Sequence, residues 1–306
     1  MYDGRITDVA GLLVGHAQDT IGMTGVSVVI APNGAVCGCD VRGSAPGTRE
    51  TALMAQAKSV QHANAVLLAG GSAFGLAAAD GVMFFLEQQR MGIKTDETYV
   101  PIVPAAVIYD LGYGRSDARP NTGMGYAACV NAKTHVIQGN IGVGMGATVG
   151  KIMGMEHAQK GGVGTASITL AGGATVGALV CVNAFGDVWD GGNIVAGAHK
   201  NGTYVDTYSA LLNGVDMPGS MKLNNTTIGV VATDAKLTRD EVTKLAQVAH
   251  DGYANAISPA HLSVDGDTAF ALSYGEKIAQ IDQLAVAAIE VTRRAVINAV
   301  TAEEEK

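Results

Sequence analysis

The stretch Leu223–Asp234, LNNTTIGVVATD, constrains this chain more than any other. A polar cluster, Asn224-Asn225-Thr226-Thr227, runs straight into an apolar, β-branched run that ends at Thr233. That pattern is a turn feeding a buried strand. It sets two hydroxyls at the mouth of a rigid element, and a buried strand needs the rest of the chain packed around it.

The chemistry open to such a hydroxyl depends on its own nitrogen. A threonine hydroxyl is a poor nucleophile at neutral pH and needs a base. An N-terminal threonine carries that base itself, since a free α-amine titrates near pH ~8 and lies beside its own Oγ. Within a chain the Thr226 nitrogen is an amide with no basicity, so only cleavage between Asn225 and Thr226 supplies the base. The plainer reading of Asn-Thr-Thr is a loop closing onto a strand, and these residues alone do not choose between the two.

With 306 residues the chain is long enough to bury a sizeable core as one large domain or two. Hydrophobic residues make up 48% and charged residues only 16%, with 41 glycines. This is a compact globular composition with many tight turns. The low charge and positive mean hydropathy of +0.22 also point to surface lost in subunit contacts. The net charge is −8, with no basic stripe or interleaved aromatics, which argues against nucleic acid as a partner. Cys37, Cys39, Cys129 and Cys181 have no zinc-site spacing and read as free thiols in a reducing compartment. The N-terminal MYDGRITDVAGLL lacks the pattern of a signal peptide, and no apolar run approaches the ~20 residues of a membrane span. The expectation is a soluble, cytoplasmic protein with no membrane partner.

Along the chain, Val26–Ile30 and Ala35–Cys39 flank Ala31-Pro32-Asn33-Gly34, which reads as a hairpin turn. Thr48 can cap a helix running to about His62. Ala65–Leu68 reads as a short buried strand that breaks at Gly70-Gly71-Ser72 into an apolar helix from Ala73 to about Gln88. Tyr99–Tyr109 reads as a strand, and Ile168–Leu170 and Ala174–Val182 as paired strands around Gly172-Gly173. Thr238-Arg239-Asp240-Glu241 is a capping box opening a helix to about Ala254. Gln280–Val300 has helical periodicity, and the tail Ala302–Lys306 should fray. No linker or repeat divides the chain, and the mixture of elements supports an α/β or α+β fold.

Two motifs mislead. Ser72 sits between a strand and a helix, yet the nucleophile elbow needs G-x-S-x-G, and Phe74 stands two residues after it. Gly142–Lys151 resembles a phosphate loop but fails its spacing, with Met145 five before Gly150 and Ile152 after the lysine. The glycine-rich loop can still bring backbone N–H groups and Lys151 to a reacting centre. The seven histidines are scattered without metal-ligand spacing and read as surface or structural.

Several stretches resemble the DmpA-like family of self-processing aminopeptidases and amidases, which includes L-aminopeptidase/D-esterases, β-peptidyl aminopeptidases and nylon-oligomer endo-hydrolases. They are ITDVAGLLVGH (Ile6–His16), DVRGSAPGTRET (Asp40–Thr51), LLAGGSAFGLAAADGV (Leu67–Val82), AVIYDLGYG (Ala106–Gly114) and GVGMGATVGK (Gly142–Lys151). KGGVGTAS, NNTTIGVVATDA and VDGDTAFAL follow in the family's order, so the resemblance spans nearly the whole chain. It implies an α+β fold of the N-terminal-nucleophile type: an αββα sandwich, two stacked β-sheets between helical layers, assembled into homo-oligomers, usually tetramers. It also implies a single domain, residues 1–306, cleaved at Asn225–Thr226 into 1–225 and 226–306.

The resemblance also assigns roles. Thr226 is the nucleophile, Lys151 the lysine near it, Asn183 the oxyanion-stabilising asparagine and Tyr109 a tyrosine lining the same site. Asp265 and Asp267 are the paired acids beside the nucleophile. The β-peptidyl aminopeptidase branch tends to serine at the nucleophile and Ser/Glu at the acid pair, so that branch's substrate preferences do not carry over. Amide hydrolysis by acyl transfer fits these residues: a nucleophile with its own base, a neutral amide donor for the oxyanion, and a lysine that holds the α-amine pKa down. Two aspartates separated by one residue on a strand share a face and can orient the Thr226 amine or bind a substrate ammonium. No metal or organic cofactor is required. The expected substrate is a small peptide or amide. Acyl transfer to an amine, as in ornithine acetyltransferases, and a processed but idle binding protein remain as alternatives.

Overall fold

The computed structural model describes residues 1–55, 57–217, 219 and 225–302. Leu223 and Asn224, at the head of the central stretch, and the tail from Glu303 lie outside the described residues. In chain order the principal elements are β1 (Leu13–Asp19), β2 (Thr24–Val41), β3 (His62–Ala69), α1 (Ala78–Gln88), β4 (Ala105–Val107), α2 (Thr122–Val130), β5 (Gly162–Thr169), β6 (Thr175–Asn183), β7 (Thr226–Ala235), α3 (Arg239–Ala254), β8 (Thr268–Lys277) and α4 (Ile281–Thr301).

β7 is the strand expected from the central stretch, and every residue in it is buried. It lies between β6, to which it is antiparallel, and β8, to which it is parallel. The parallel pair needs a crossover, and α3 supplies it. β5 extends this leaf beyond β6, and the second half of β2 closes it beside β8. The first half of β2 belongs to a second leaf, flanked by β1 and by β3, which continues to β4.

Side-chain alternation along these strands sorts the core into three apolar layers. Val176, Ala178, Val180 and Val182 of β6 pack with Val242 and Leu245 of α3 and Ala288 and Val291 of α4. The alternate residues Leu179 and Cys181 face inward with Ile228, Val230, Phe270 and Leu272, against Val29, Val66 and Leu68 of the other leaf. Val26, Val28, Leu67 and Ala69 turn outward to Ala78 and Val82 of α1 and Ala128 of α2. The result is two β-leaves between two helical layers, the α+β sandwich that the resemblance implied.

Three local expectations are corrected. Ala31–Gly34 does not reverse the chain, because β3 pairs with β2 on both sides of it, with a register shift between Ile30 and Ala35. The segment is a bulge within one long strand, and the true hairpin partner of Val26–Ile30 is β1. Thr48 does not cap a helix to His62. Thr48 and Arg49 pair with Ala106 and Ala105 of β4, and among the described residues before His62 only a 3-10 turn at Thr51–Met54 follows. Tyr99–Tyr109 is not one strand but splits into Tyr99–Val100 and Ala105–Val107. The Gly172-Gly173 hairpin and the capping box do form, with the Thr238 side chain accepting from Glu241 N and the Glu241 side chain from Thr238 N. Cys37, Cys39, Cys129 and Cys181 are free thiols. Among the described residues no helix is long and apolar enough to cross a membrane.

Close contact of α4 with the leaf depends on Gly164 in β5. A Cβ there would lie 2.0 Å from the Ala295 carbonyl oxygen and 2.3 Å from Ala299 N. Gly164→Ala should therefore destabilise the fold by about 1–3 kcal/mol in urea unfolding, the usual range for overpacking. A variant as stable as wild type would show that α4 is free to shift off the sheet.

Candidate active site

Thr226 opens β7 and is 4% exposed. Asn183, the last residue of β6, is its cross-strand partner. One residue earlier, Asn225 forms a parallel bridge with Asp265, ahead of β8. The peptide bond between Asn225 and Thr226 is thereby held between two strand ends. Thr226 Oγ1 donates to the carbonyl oxygen of Asn225, its own preceding residue. Gly266 N donates to the same oxygen at 3.0 Å. A Cβ on Gly266 would meet Thr226 Oγ1 at 2.9 Å and the Ala45 carbonyl oxygen at 2.6 Å, so only glycine brings its N–H this close without displacing a neighbour.

Asn183 is fixed on both ends of its amide. Its Oδ1 accepts from Thr148 N at 3.0 Å and from Lys151 Nζ at 3.0 Å, and its Nδ2 donates to the Tyr109 carbonyl at 3.1 Å. Lys151 Nζ also reaches the Asn183 carbonyl at 3.1 Å. The glycine-rich loop delivers this lysine: Gly150 N and Lys151 N pair with the carbonyls of Gly186 and Phe185, just beyond β6. Lys151 is 1% exposed, and burial brings its pKa down to about 7 against the opposing pull of Asp265. Tyr109 meets Asn183 through its carbonyl, an acceptor, and lines a narrow cleft with Tyr113, Thr148, Lys151 and Met155.

The two acids have different partners. Asp267 Oδ1 accepts from Thr227 N at 2.6 Å, and its Oδ2 accepts from His261 Nδ1 at 2.7 Å and His261 N at 3.2 Å. Asp265 Oδ2 accepts from Leu262 N at 2.8 Å, whereas its buried Oδ1 has no hydrogen bond among the described residues. Burial first, then the neighbouring Asp267 charge, push the Asp265 pKa up. The RGSA segment holds this loop by its backbone, with Arg42 N and Gly43 N on the Asp267 carbonyl and Ala45 N on that of Asp265.

Thr226, Asn225, Asn183, Lys151, Asp265 and Asp267 are thus brought together, with Tyr109 joined through its main chain. Sequence reasoning missed Gly266, His261 and Asp110. Asp110 accepts from Thr24 Oγ1 at 2.6 Å and Gly71 N at 2.6 Å, and so pins the loop bearing Tyr109 to the Gly70–Ser72 turn. Ser72 serves that turn, its N–H pairing with the Ile108 carbonyl. Of the histidines read as surface or structural, His261 contacts Asp267, and its sequence signal is its place six residues ahead.

Residues 4–305 match peptidase family S58. The chain belongs to that family. It is a hydrolase acting on amide bonds, the activity class of S58. An uncharacterized aminopeptidase of Mycobacterium tuberculosis is 46% identical over 286 residues, covering 88% of this chain and 81% of that protein. A 6-aminohexanoate-oligomer endohydrolase from Kocuria sp. is 31% identical over 275 residues, covering 88% and 74%. Among solved structures, the L-aminopeptidase D-Ala-esterase/amidase of Ochrobactrum anthropi superposes with a TM-score of 0.73 at 21% identity, over 96% of this chain and 85% of that one. A Burkholderia β-aminopeptidase gives 0.68 at 24% identity, over the same shares. At these identities the two structures establish the shared N-terminal-nucleophile hydrolase fold.

The buried lysine of this S58 hydrolase has a measurable signature. Lys151 stays charged in the unfolded chain up to about pH 10, but in the folded protein only below about 7. Between those values the unfolded chain holds the extra proton, so the contribution of Lys151 to stability improves as pH rises. Lys151→Met removes that dependence. Its stability relative to wild type should be least unfavourable near pH ~6 and worsen toward pH ~9. A difference that stays flat over this range would place the Lys151 pKa at its ordinary value.

Proposed function

We propose that the chain cuts itself between Asn225 and Thr226, and that Thr226 then serves as the N-terminal nucleophile of an aminopeptidase or amidase acting on small peptides and amides. The observation that carries this reading is the Asn225 carbonyl, with Thr226 Oγ1 against it and Gly266 N–H on its oxygen at 3.0 Å. Attack by Oγ1 on the carbonyl carbon moves charge onto that oxygen, where the Gly266 N–H stabilises it. Collapse breaks the bond from the Asn225 carbonyl carbon to Thr226 N. The proton lost by Oγ1 passes to the departing nitrogen, and the acyl group remains on Oγ1 as an ester. Water then hydrolyses the ester, leaving a carboxylate on Asn225 and a free amine on Thr226.

In turnover that amine takes the Oγ1 proton as the hydroxyl attacks the substrate carbonyl. Asn183, opposite Thr226 in the ladder, donates to the tetrahedral oxyanion, and Lys151 in its charged form lowers the pKa of the amine. Collapse of the intermediate breaks the scissile C–N bond, the Thr226 ammonium returns its proton to the leaving amine, and water hydrolyses the acyl-enzyme on Thr226 to free the acid and the Oγ1 hydroxyl. Both products of self-cleavage stay in one domain, because β7 is paired on both sides within the leaf. Aminopeptidases at 46% identity and an oligomer endohydrolase at 31% support small amide substrates. Self-association into a homo-oligomer belongs to the same reading: Phe84 of α1 and Val130 of α2 are 53% and 59% exposed.

The test uses an amino acid p-nitroanilide and three variants. Thr226→Ala should lose turnover altogether. Asn183→Ala should fold and lose roughly 10²–10³ in kcat, the usual effect of removing one oxyanion donor. Gly266→Ala should slow self-cleavage by crowding Oγ1. Wild-type turnover in Thr226→Ala would overturn the assignment of the nucleophile, and an unchanged kcat in Asn183→Ala would make Asn183 a structural residue.

A further inference from the structure

The acid pair behind Thr226 is treated unequally by a residue that the reaction described above does not use. His261 sits at φ +59°, in the left-handed region, and this backbone aims both its N–H and its ring Nδ1 at one oxygen of Asp267. The other ring nitrogen, Nε2, faces the His250 carbonyl at 3.4 Å. An ionised carboxylate and a carbonyl can only accept, so these two contacts suit a ring with a hydrogen on each nitrogen, the imidazolium form. Asp267 in turn receives three donors, His261 Nδ1–H, His261 N–H and Thr227 N–H, the set that suits an ionised carboxylate. Asp265 has one donor, Leu262 N–H, and a buried oxygen without one among the described residues.

We propose that His261 is a positioning residue: as an imidazolium it neutralises Asp267 and fixes it on Thr227, leaving Asp265 as the carboxylate of the pair whose proton moves during turnover. This rests on the reading of Thr226 as nucleophile. The charges around His261 agree with it. Burial alone would lower the His261 pKa, but the hydrogen bond and charge of Asp267 outweigh burial and raise it. His250 on α3, stacked edge-on at 4.9 Å, is held neutral by burial, with its pKa down at about 4 and its Nε2 on the Asp40 carbonyl. Tyr253 of α3 is buried and its pKa is raised, so it stays neutral too. Arg42 opposes the imidazolium, but its guanidinium is engaged by Asp40 and Asp251. The charge of Lys151 acts on Asp265 and favours its ionised form.

The test combines one variant with one titration. Asn tolerates a left-handed backbone and its amide still donates to Asp267, so His261→Asn keeps the geometry and removes the charge. With Asp267 uncompensated, ionisation of Asp265 becomes harder. The acid limb of kcat/KM should move up by roughly one pH unit, the effect of one neighbouring charge on a buried carboxyl, with KM little changed. An unmoved limb, whatever the loss in kcat, would overturn the proposal and make His261 merely structural. In the wild-type enzyme, NMR should find the His261 ring doubly protonated above pH ~6.5, where a free histidine is neutral. It should also find the Asp265 carboxyl titrating in the neutral range. A neutral His261 tautomer there, or an Asp265 carboxyl that titrates in the ordinary carboxylate range, would also overturn it. Turnover that survives Thr226→Ala is a separate result: it would sink the nucleophile on which the proposal rests, and it is read from a different variant.

Discussion

The hydrogen bond from Gly266 N to the Asn225 carbonyl is the contact on which the site depends. It forms because Asn225 and Asp265 pair as parallel neighbours at the mouths of β7 and β8, and because residue 266 has no side chain to block the approach. The 265–267 loop is in turn held by three backbone N–H groups of Arg42, Gly43 and Ala45. Those residues follow β2, the strand that crosses from one leaf to the other. The position of one amide against one carbonyl therefore reports the stacking of the whole sandwich. A shift of either leaf would move Thr226 Oγ1 and the Asn225 carbonyl relative to the Gly266 N–H.

Charge is the second constraint. Lys151, Asp265 and Asp267 are each at most 3% exposed, and isolated ions at such depth are costly. The structure meets that cost in three ways. Lys151 is satisfied by the carbonyl and amide oxygens of Asn183, and burial drops its pKa to about 7. Asp267 is satisfied by three donors. Asp265 responds by a raised pKa. Lys151 and Asp265 thus both titrate near neutral pH, the range in which an amide hydrolase moves protons.

Much of this was legible in the chain. The β-branched run after Thr227 marked β7, Thr238 and Glu241 marked the start of α3, and Gly172-Gly173 marked the turn between β5 and β6, because each signal is local. The errors came where a distant strand decides. Pro32-Asn33-Gly34 says that the chain bends, but only β3, lying alongside both halves of β2, makes that bend a bulge rather than a reversal. Thr48 has the chemistry of a helix cap, but β4 claims it as a strand residue. At the site, the motifs that matched the family named Thr226, Lys151, Asn183, Tyr109, Asp265 and Asp267. The contacts of Gly266 and His261 had no such signal: one acts through a backbone N–H that every residue but proline has, and the other through a left-handed turn that no spacing rule reveals.

The central claim is that Thr226 becomes an N-terminus, and intact-mass spectrometry of the purified wild-type protein under denaturing conditions tests it most directly. The account predicts two polypeptides, residues 1–225 and 226–306, with no mass added to either beyond the water of hydrolysis. A single polypeptide of 306 residues that persists on prolonged incubation, or cleavage at any bond other than Asn225–Thr226, would contradict it.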